Sequence, residues 1–138
     1  TKAFELWSKS ADLGSVGGRH NLALAYARGE GVGTDLVKAK YHYELAAIGG
    51  NDYARCNLGG LDANSGNFDR AKKHWMIAAM RGHDESLGNL KEMYVDGELS
   101  KDDFEKALRA HKASQDDIKS EQRDGAKEYL TEIHGLKR

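Results

Sequence analysis

The sequence lacks proline altogether, contains a single cysteine and has no long apolar run. One cysteine excludes an intramolecular disulfide, and it supplies too few thiols for a structural zinc site, which takes about four Cys or His ligands. No stretch approaches the roughly 20 apolar residues of a membrane span, and no charged-then-apolar leader opens the chain. These absences favour an intracellular, soluble protein over a secreted one, without identifying its compartment.

An excess of charge of either sign is also missing. The chain has 21 Lys and Arg against 22 Asp and Glu, and both signs are spread along its 138 residues. Proteins that bind a phosphate backbone need a field of positive charge, so we expect no nucleic-acid partner. An alternative is a helical-repeat protein that recognises RNA one base at a time, and the near-zero net charge disfavours it. The length is that of one ordinary domain.

Three segments align without gaps and define an internal repeat. They are residues 2–14, 38–50 and 70–82, and in each a basic residue and Ala are followed by an aromatic residue, a pair of small residues and a Gly. A second kind of segment lies between them, marked by an Asn-Leu pair whose Leu falls nineteen residues after the marker Ala. The repeating unit is therefore a pair of segments, about 32 to 36 residues long.

Both kinds of segment have the period of a helix. The marker Ala, the aromatic residue four positions later and the small pair share one helical face. Leu22, Ala25 and Tyr26 recur at the same spacing in the second kind. One helix pair cannot bury both apolar faces alone, so we expect successive pairs to stack as a solenoid.

The glycine-rich stretch 27–39, ARGEGVGTDLVKA, resembles a phosphate-binding loop only superficially. A phosphate cradle needs a strand before it and a helix after it, but the segment before this stretch has a helical period. No Lys-Ser/Thr pair follows its glycines either. We interpret it as a bend between two helices, with Thr34 or Asp35 capping the second. Asn67 and Ser100 are expected to cap the helices after the next two bends, and Gly14, Gly50 and Gly82 to end helices in the left-handed conformation.

The order of these motifs resembles that of Sel1-like repeats, relatives of the tetratricopeptide repeat. The resemblance rests on the Asn-Leu-Gly motif, seen at 57–59, and on the segment GEGVGTDLVKAKYHYELAAIGG at 29–50. It covers residues 1 to about 115. It implies an all-α, right-handed solenoid of stacked helix-turn-helix repeats that acts as a scaffold for protein interactions. Asp62 departs from the pattern, since a Tyr is expected there. A local bond to the shortened turn that follows is our interpretation of it.

The resemblance divides the single domain 1–138 into five parts. Residues 1–14 form the second helix of a truncated repeat, and the remaining parts are repeats 15–50, 51–82 and a degenerate 83–115, followed by a capping segment 116–138 with a helix from about 121 to 134. We expect the parent chain to extend upstream. The uncovered face of the first helix could then drive self-association of this fragment.

The predicted binding surface is the concave wall formed by the first helix of each pair. By analogy with tetratricopeptide arrays, its inward positions are His20, Asn21, Leu24, Tyr53, Cys56, Asn57, Gly60, Glu85, Asn89 and Glu92. The row of Asn residues could fix the backbone of a bound peptide or brace its own helices. The Lys and Arg with which tetratricopeptide arrays clamp a C-terminal carboxylate are missing from these positions, which disfavours that kind of ligand. The acidic Glu85 and Glu92 instead favour a basic or neutral segment.

No catalytic or metal-binding pattern is present. There is no G-x-S-x-G motif, and Cys56 is interpreted as a small core residue. His42 and His74 occupy equivalent repeat positions, which lie too far apart on stacked helices to share a metal ion. We predict a non-catalytic scaffold or adaptor that binds a partner protein or peptide without a cofactor. The alternative is a module that recruits substrates or partners to a larger multidomain enzyme assembly, for example of the ubiquitin-ligase type.

Overall fold

The computed structural model describes residues 1–136, and all the regular secondary structure in that range is α-helix. Its seven helices are α1 (Lys2–Asp12), α2 (Val16–Arg28), α3 (Leu36–Ile48), α4 (Asp52–Asn64), α5 (Phe68–Met80), α6 (Asp84–Val95) and α7 (Lys101–Leu136). Helix α2 packs along α3, and α4 along α5; between pairs, α3 contacts α4, and α5 contacts both α6 and α7. Each pair therefore covers the apolar face of the one before it. The predicted all-α repeat solenoid is confirmed.

The helices begin and end where short polar side chains and glycines predict. Asp35 is the residue that caps α3, because its Oδ1 accepts a hydrogen bond of 3.1 Å from the backbone amide of Lys38. Asn67 and Ser100 cap α5 and α7 in the same way, as expected. Gly14, Gly50 and Gly82 all have positive φ, between 85° and 102°. The local chemistry of these residues is thus sufficient to place the turns.

The glycine-rich stretch is the bend that its sequence predicts. Within this stretch, α2 ends at Arg28 with Gly29 in the left-handed conformation, and α3 begins at Leu36. The backbone amide of Asp35 donates a hydrogen bond of 2.9 Å to the carbonyl oxygen of Tyr26, which closes the loop. A helix therefore enters the loop where a phosphate cradle would require a strand.

The core follows the predicted repeat phase. The marker alanines Ala39, Ala71 and Ala107 are fully buried. The aromatic residues four positions after Ala39 and Ala71, which are Tyr43 and Trp75, are almost fully buried. Two buried clusters result, one around Tyr43 and one around Trp75. Small residues let the helices approach closely, and the rings fill the space between pairs. Burial of such rings is the main apolar contribution to the stability of each pair.

The C-terminal segment differs from the expectation of a separate capping helix at 121–134. Helix α7 runs from Lys101 to Leu136 without interruption, because no proline or glycine occurs between Lys101 and Asp124 to end it. Its beginning packs on α5 and α6, and its side chains beyond Gln115 are almost all exposed. The segment therefore extends away from the array and does not fold over its end.

Candidate functional site

A groove of about 240 Å³ lies across the first helices of the three pairs. We call it the central groove. It is lined by Leu24 and Arg28 of α2, by Cys56, Asn57, Gly60, Leu61 and Asn64 of α4, by Glu85 and Asn89 of α6, and by Tyr43 of α3. Helical spacing explains this grouping, because Asn57, Leu61 and Asn64 are separated by four and three residues and share one face of α4.

Six of the ten residues predicted for the binding wall line this groove. They are Leu24, Cys56, Asn57, Gly60, Glu85 and Asn89. The other four, His20, Asn21, Tyr53 and Glu92, do not. Glu92 lies with Lys91, Val95 and Asp96 in a separate shallow depression on α6.

Sequence reasoning missed four lining residues, namely Arg28, Tyr43, Leu61 and Asn64. Three of them could have been found from helical spacing, since Arg28 follows Leu24 by four residues, and Leu61 and Asn64 follow Asn57 by four and seven. Tyr43 could not, because it belongs to the second helix of its pair and reaches the groove between two first helices.

The lining of the groove combines apolar and polar side chains. Leu24, Leu61 and the buried Tyr43 supply apolar surface, while the Asn residues at 57, 64 and 89 supply side-chain amides. Its two charged residues have opposite signs and lie on different helices: Arg28 ends α2 and Glu85 begins α6. Arg28 is exposed and has only a loose ion pair with Glu30, at 3.9 Å. Both charges are therefore available to a ligand.

The asparagines brace successive repeats. The amide nitrogen of Asn57 lies 3.4 Å from Nε2 of His20, and that of Asn89 donates to the sulfur of Cys56 at 3.6 Å. His20 and Cys56 each directly precede the Asn of their own repeat, so the two contacts are equivalent. A side-chain amide has two donor hydrogens and an acceptor oxygen, so one such bond leaves it able to bind a ligand.

Cys56 is a core residue, as predicted. Its side chain is buried, and its carbonyl oxygen accepts a hydrogen bond of 3.1 Å from the indole of Trp75. Burial raises the pKa of the Cys56 thiol, so the thiol stays protonated at neutral pH. A nucleophilic cysteine needs the opposite shift.

A row of rings borders the groove. The ring of His20 lies 6.1 Å from that of Tyr43 and 6.3 Å from that of Tyr53, and Tyr53 meets His83 edge-to-face at 4.9 Å. Burial, together with the charge of Arg28, lowers the pKa of His20. Tyr53 is 63% exposed and lies on this row, beside the central groove.

Asp62 is placed differently from the predicted local bond. Its backbone carbonyl does bind the following turn, accepting from the hydroxyl of Ser65 at 2.9 Å. Its carboxylate is instead buried, at 4% exposure, with Oδ1 3.8 Å from Nζ of Lys40 and Oδ2 3.5 Å from Nε2 of His74. Burial lowers the pKa of His74 even though the charge of Asp62 acts to raise it. Asp62 thus joins α4 to the helices on either side of it.

Within residues 1–136, no group of three or more His, Cys, Asp or Glu side chains is arranged to hold a metal ion. Over the same range, no helix combines the length and apolar character needed to cross a bilayer.

The profile of the Sel1 repeat matches this chain three times, at residues 1–15, 18–51 and 51–83. A Sel1 repeat protein from Oxalobacter formigenes, known from its crystal structure, is similar in fold, with a TM-score of 0.66 and 24% sequence identity over 83% of this chain. This chain spans 49% of the length of that protein. No curated protein matches the sequence significantly.

Proposed function

Because this chain belongs to the Sel1 repeat family, whose repeats generally serve as protein-interaction modules, we propose that it binds an extended segment of a partner protein in the central groove. The observation that carries the proposal is the convergence of three successive first helices on one groove. A groove that crosses several repeats offers a linear segment several contacts in a row. Such a segment needs no pocket deep enough for a small molecule.

The chemistry of the groove suits a peptide backbone. The amides of Asn57, Asn64 and Asn89 can each donate to a carbonyl oxygen and accept from an N–H group. The apolar surface between them can take aliphatic or aromatic side chains. We therefore propose that main-chain hydrogen bonds hold the segment and that one or two apolar side chains anchor it.

The two charges orient the segment. Glu85 attracts a basic side chain at the α6 end of the groove, and Arg28 attracts an acidic side chain at the α2 end. This assignment refines the sequence-based expectation of a basic or neutral ligand, which did not include Arg28. The preferred ligand has a neutral middle and opposite charges at its two ends.

Charge reversal at the two exposed residues tests the groove. Glu85→Arg and Arg28→Glu should each weaken capture of partners from an extract of the source organism by about 10-fold or more, because each places like charges together in the complex. Matched controls are Glu44→Arg and Lys73→Glu, two exposed residues outside the groove, and these should capture as the unmodified chain does.

Captured proteins are then purified and their affinities measured directly by calorimetry. Equal affinity for the groove variants and the controls would remove the central groove as the binding surface. A partner that is a component of an enzyme assembly would assign the chain to recruitment for that assembly, through the same groove.

A further inference from the structure

The end of the array carries an apolar groove of about 300 Å³ between α6 and the first turns of α7. We call it the end groove. Tyr94, Val95, Phe104 and Leu108 form its walls, and the charged residues that line it are Lys91, Lys101 and Glu105. Its lining is far more apolar than that of the central groove. The end groove is therefore suited to the apolar face of a helix, with acidic residues beside that face to meet the two lysines.

The exposed part of α7, residues 116–135, has an apolar face of its own. We call this part the α7 tip. Ile118, Ala126, Tyr129, Leu130 and Ile133 recur at helical spacing on one side of it. Tyr129 is 64% exposed and Leu130 is 54% exposed. An exposed row of this kind on a projecting helix marks a surface that another chain covers.

We propose that the α7 tip of a second copy of this chain fills the end groove, and that the exchange is reciprocal. The groove and the tip lie on the same continuous helix, so each copy offers both surfaces. Helix α7 has 36 residues and, at about 1.5 Å per residue, is about 54 Å long. When two α7 helices run antiparallel about a two-fold axis near residue 119, Leu130 of each copy lies opposite Leu108 of the other.

Charge complementarity favours a second copy as the occupant. The α7 tip has six acidic and three basic residues, and Glu128 and Glu132 lie beside its apolar face. The end groove presents two basic residues, Lys91 and Lys101, and one acidic residue, Glu105, which pairs with Lys101 at 3.8 Å, so its net charge is positive. A closed two-fold dimer satisfies both sites at once and leaves neither surface open for further growth.

Helix α1 is the competing surface for self-association. It exposes Leu6, and Leu13, which directly follows the helix, is 88% exposed. Its charges are balanced, with Lys2 and Lys9 against Glu5 and Asp12, so it offers no complement to the lysines of the end groove. For this reason we assign the contact to the α7 tip.

The first test is the oligomeric state of the full chain, measured by sedimentation equilibrium. The unmodified chain should dimerise, and Leu130→Glu should raise the dimer dissociation constant about 10-fold or more, because it places a charge in the apolar groove. Leu13→Glu is the matched control and should leave the dimer intact. Both residues are exposed, and circular dichroism verifies that each variant keeps its helix content. A chain that stays monomeric, a dimer that survives Leu130→Glu, or one that Leu13→Glu dissociates would each overturn the proposal.

Charge reversal tests the pairing itself. The double variant Lys91→Glu, Lys101→Glu and the double variant Glu128→Lys, Glu132→Lys should each dimerise more weakly than the unmodified chain. Mixed together they should form a heterodimer. The acidic groove of the first variant meets the basic tip of the second, and the unmodified groove of the second meets the unmodified tip of the first, so opposite charges meet at both contacts. Failure of the mixture to associate better than either variant alone would contradict the assignment.

Disulfide trapping tests the orientation. Leu108→Cys protein mixed with Leu130→Cys protein should form a mixed disulfide under mild oxidation, while the native Cys56 is buried and stays silent. Side-by-side parallel pairing of the α7 tips would instead link Leu130→Cys protein to itself. That result would overturn the antiparallel exchange.

Discussion

The indole of Trp75 packs directly on the backbone of Gly59. A Cβ atom built at Gly59 would lie 2.7 Å from Cδ1 of the indole, closer than carbon atoms can approach. This contact joins α4 to α5, and it brings the indole nitrogen within hydrogen-bonding distance of the carbonyl oxygen of Cys56, a residue that lines the central groove. The absence of a side chain at Gly59 therefore positions the aromatic ring that holds the second repeat together.

Two adjacent glycines of α4 should respond oppositely to the same substitution. Gly59→Ala should lower the free energy of unfolding by about 1–3 kcal/mol, because the new methyl group displaces the Trp75 ring. At Gly60 nothing lies within 4 Å of an added Cβ. Gly60→Ala should therefore be neutral or stabilise by up to about 1 kcal/mol through helix propensity. Urea denaturation measures both, and equal effects would contradict the assigned contact.

Removing the ring itself should be more damaging. Trp75→Ala should cost about 3–5 kcal/mol, because it leaves a cavity in the second buried cluster and removes the hydrogen bond that the indole donates to Cys56 O. Thermal and urea unfolding give the difference from the unmodified chain. A loss below about 1 kcal/mol would mean that the indole does not fill the space between α4 and α5.

The cap of α3 distinguishes two neighbouring residues. Asp35→Ala should cost about 1 kcal/mol, since it removes the side-chain acceptor for the Lys38 amide. Thr34→Ala should change stability by less than about 0.5 kcal/mol, as expected for an exposed residue that does not cap the helix. Unfolding of the two variants by urea provides the comparison. A loss of stability that is larger for Thr34→Ala than for Asp35→Ala would mean that Thr34, and not Asp35, caps α3.

Stability should fall as the pH is lowered through the range of histidine titration. Burial is the main cause that lowers the pKa values of His20, His42 and His74 from the ordinary 6.5. The unfolded chain then binds protons more readily than the folded chain, so the free energy of unfolding falls as the pH drops below about 6.5.

His42→Phe should reduce this loss of stability. A phenyl ring preserves the stacking on Tyr26, where the two ring centres lie 5.8 Å apart, and it cannot be protonated. Urea denaturation at about pH 7.5 and about pH 5.5 measures the loss in each protein. An equal or larger loss in His42→Phe would show that His42 does not contribute to it.

The residues that begin and end helices could be recognised from the sequence because each acts on its immediate neighbours. Asn67 and Ser100 cap through amides three residues away, and Gly14 adopts its left-handed conformation within one turn. The end of α7 was predicted less well. The repeat pattern ends near Gln115, which predicted that a new helix begins beyond it. No proline or glycine lies near Gln115 to end the helix, so the backbone hydrogen bonds of α7 continue through this point.

The central groove could be predicted only in part. Helical period identifies which residues share one face of one helix, and Asn57 and Asn89, which it selects, both line this groove. It does not say which faces of different helices meet, so Tyr43, on the second helix of its pair, was missed.

The sequence by itself determined the helices, their caps and the repeat phase, because these depend on side chains within about one turn of each other. Only the tertiary structure decided which residues surround the central groove and which side chains face Asp62. These are distances between atoms on different helices, and the packing of Tyr43 and Trp75 between successive pairs sets them.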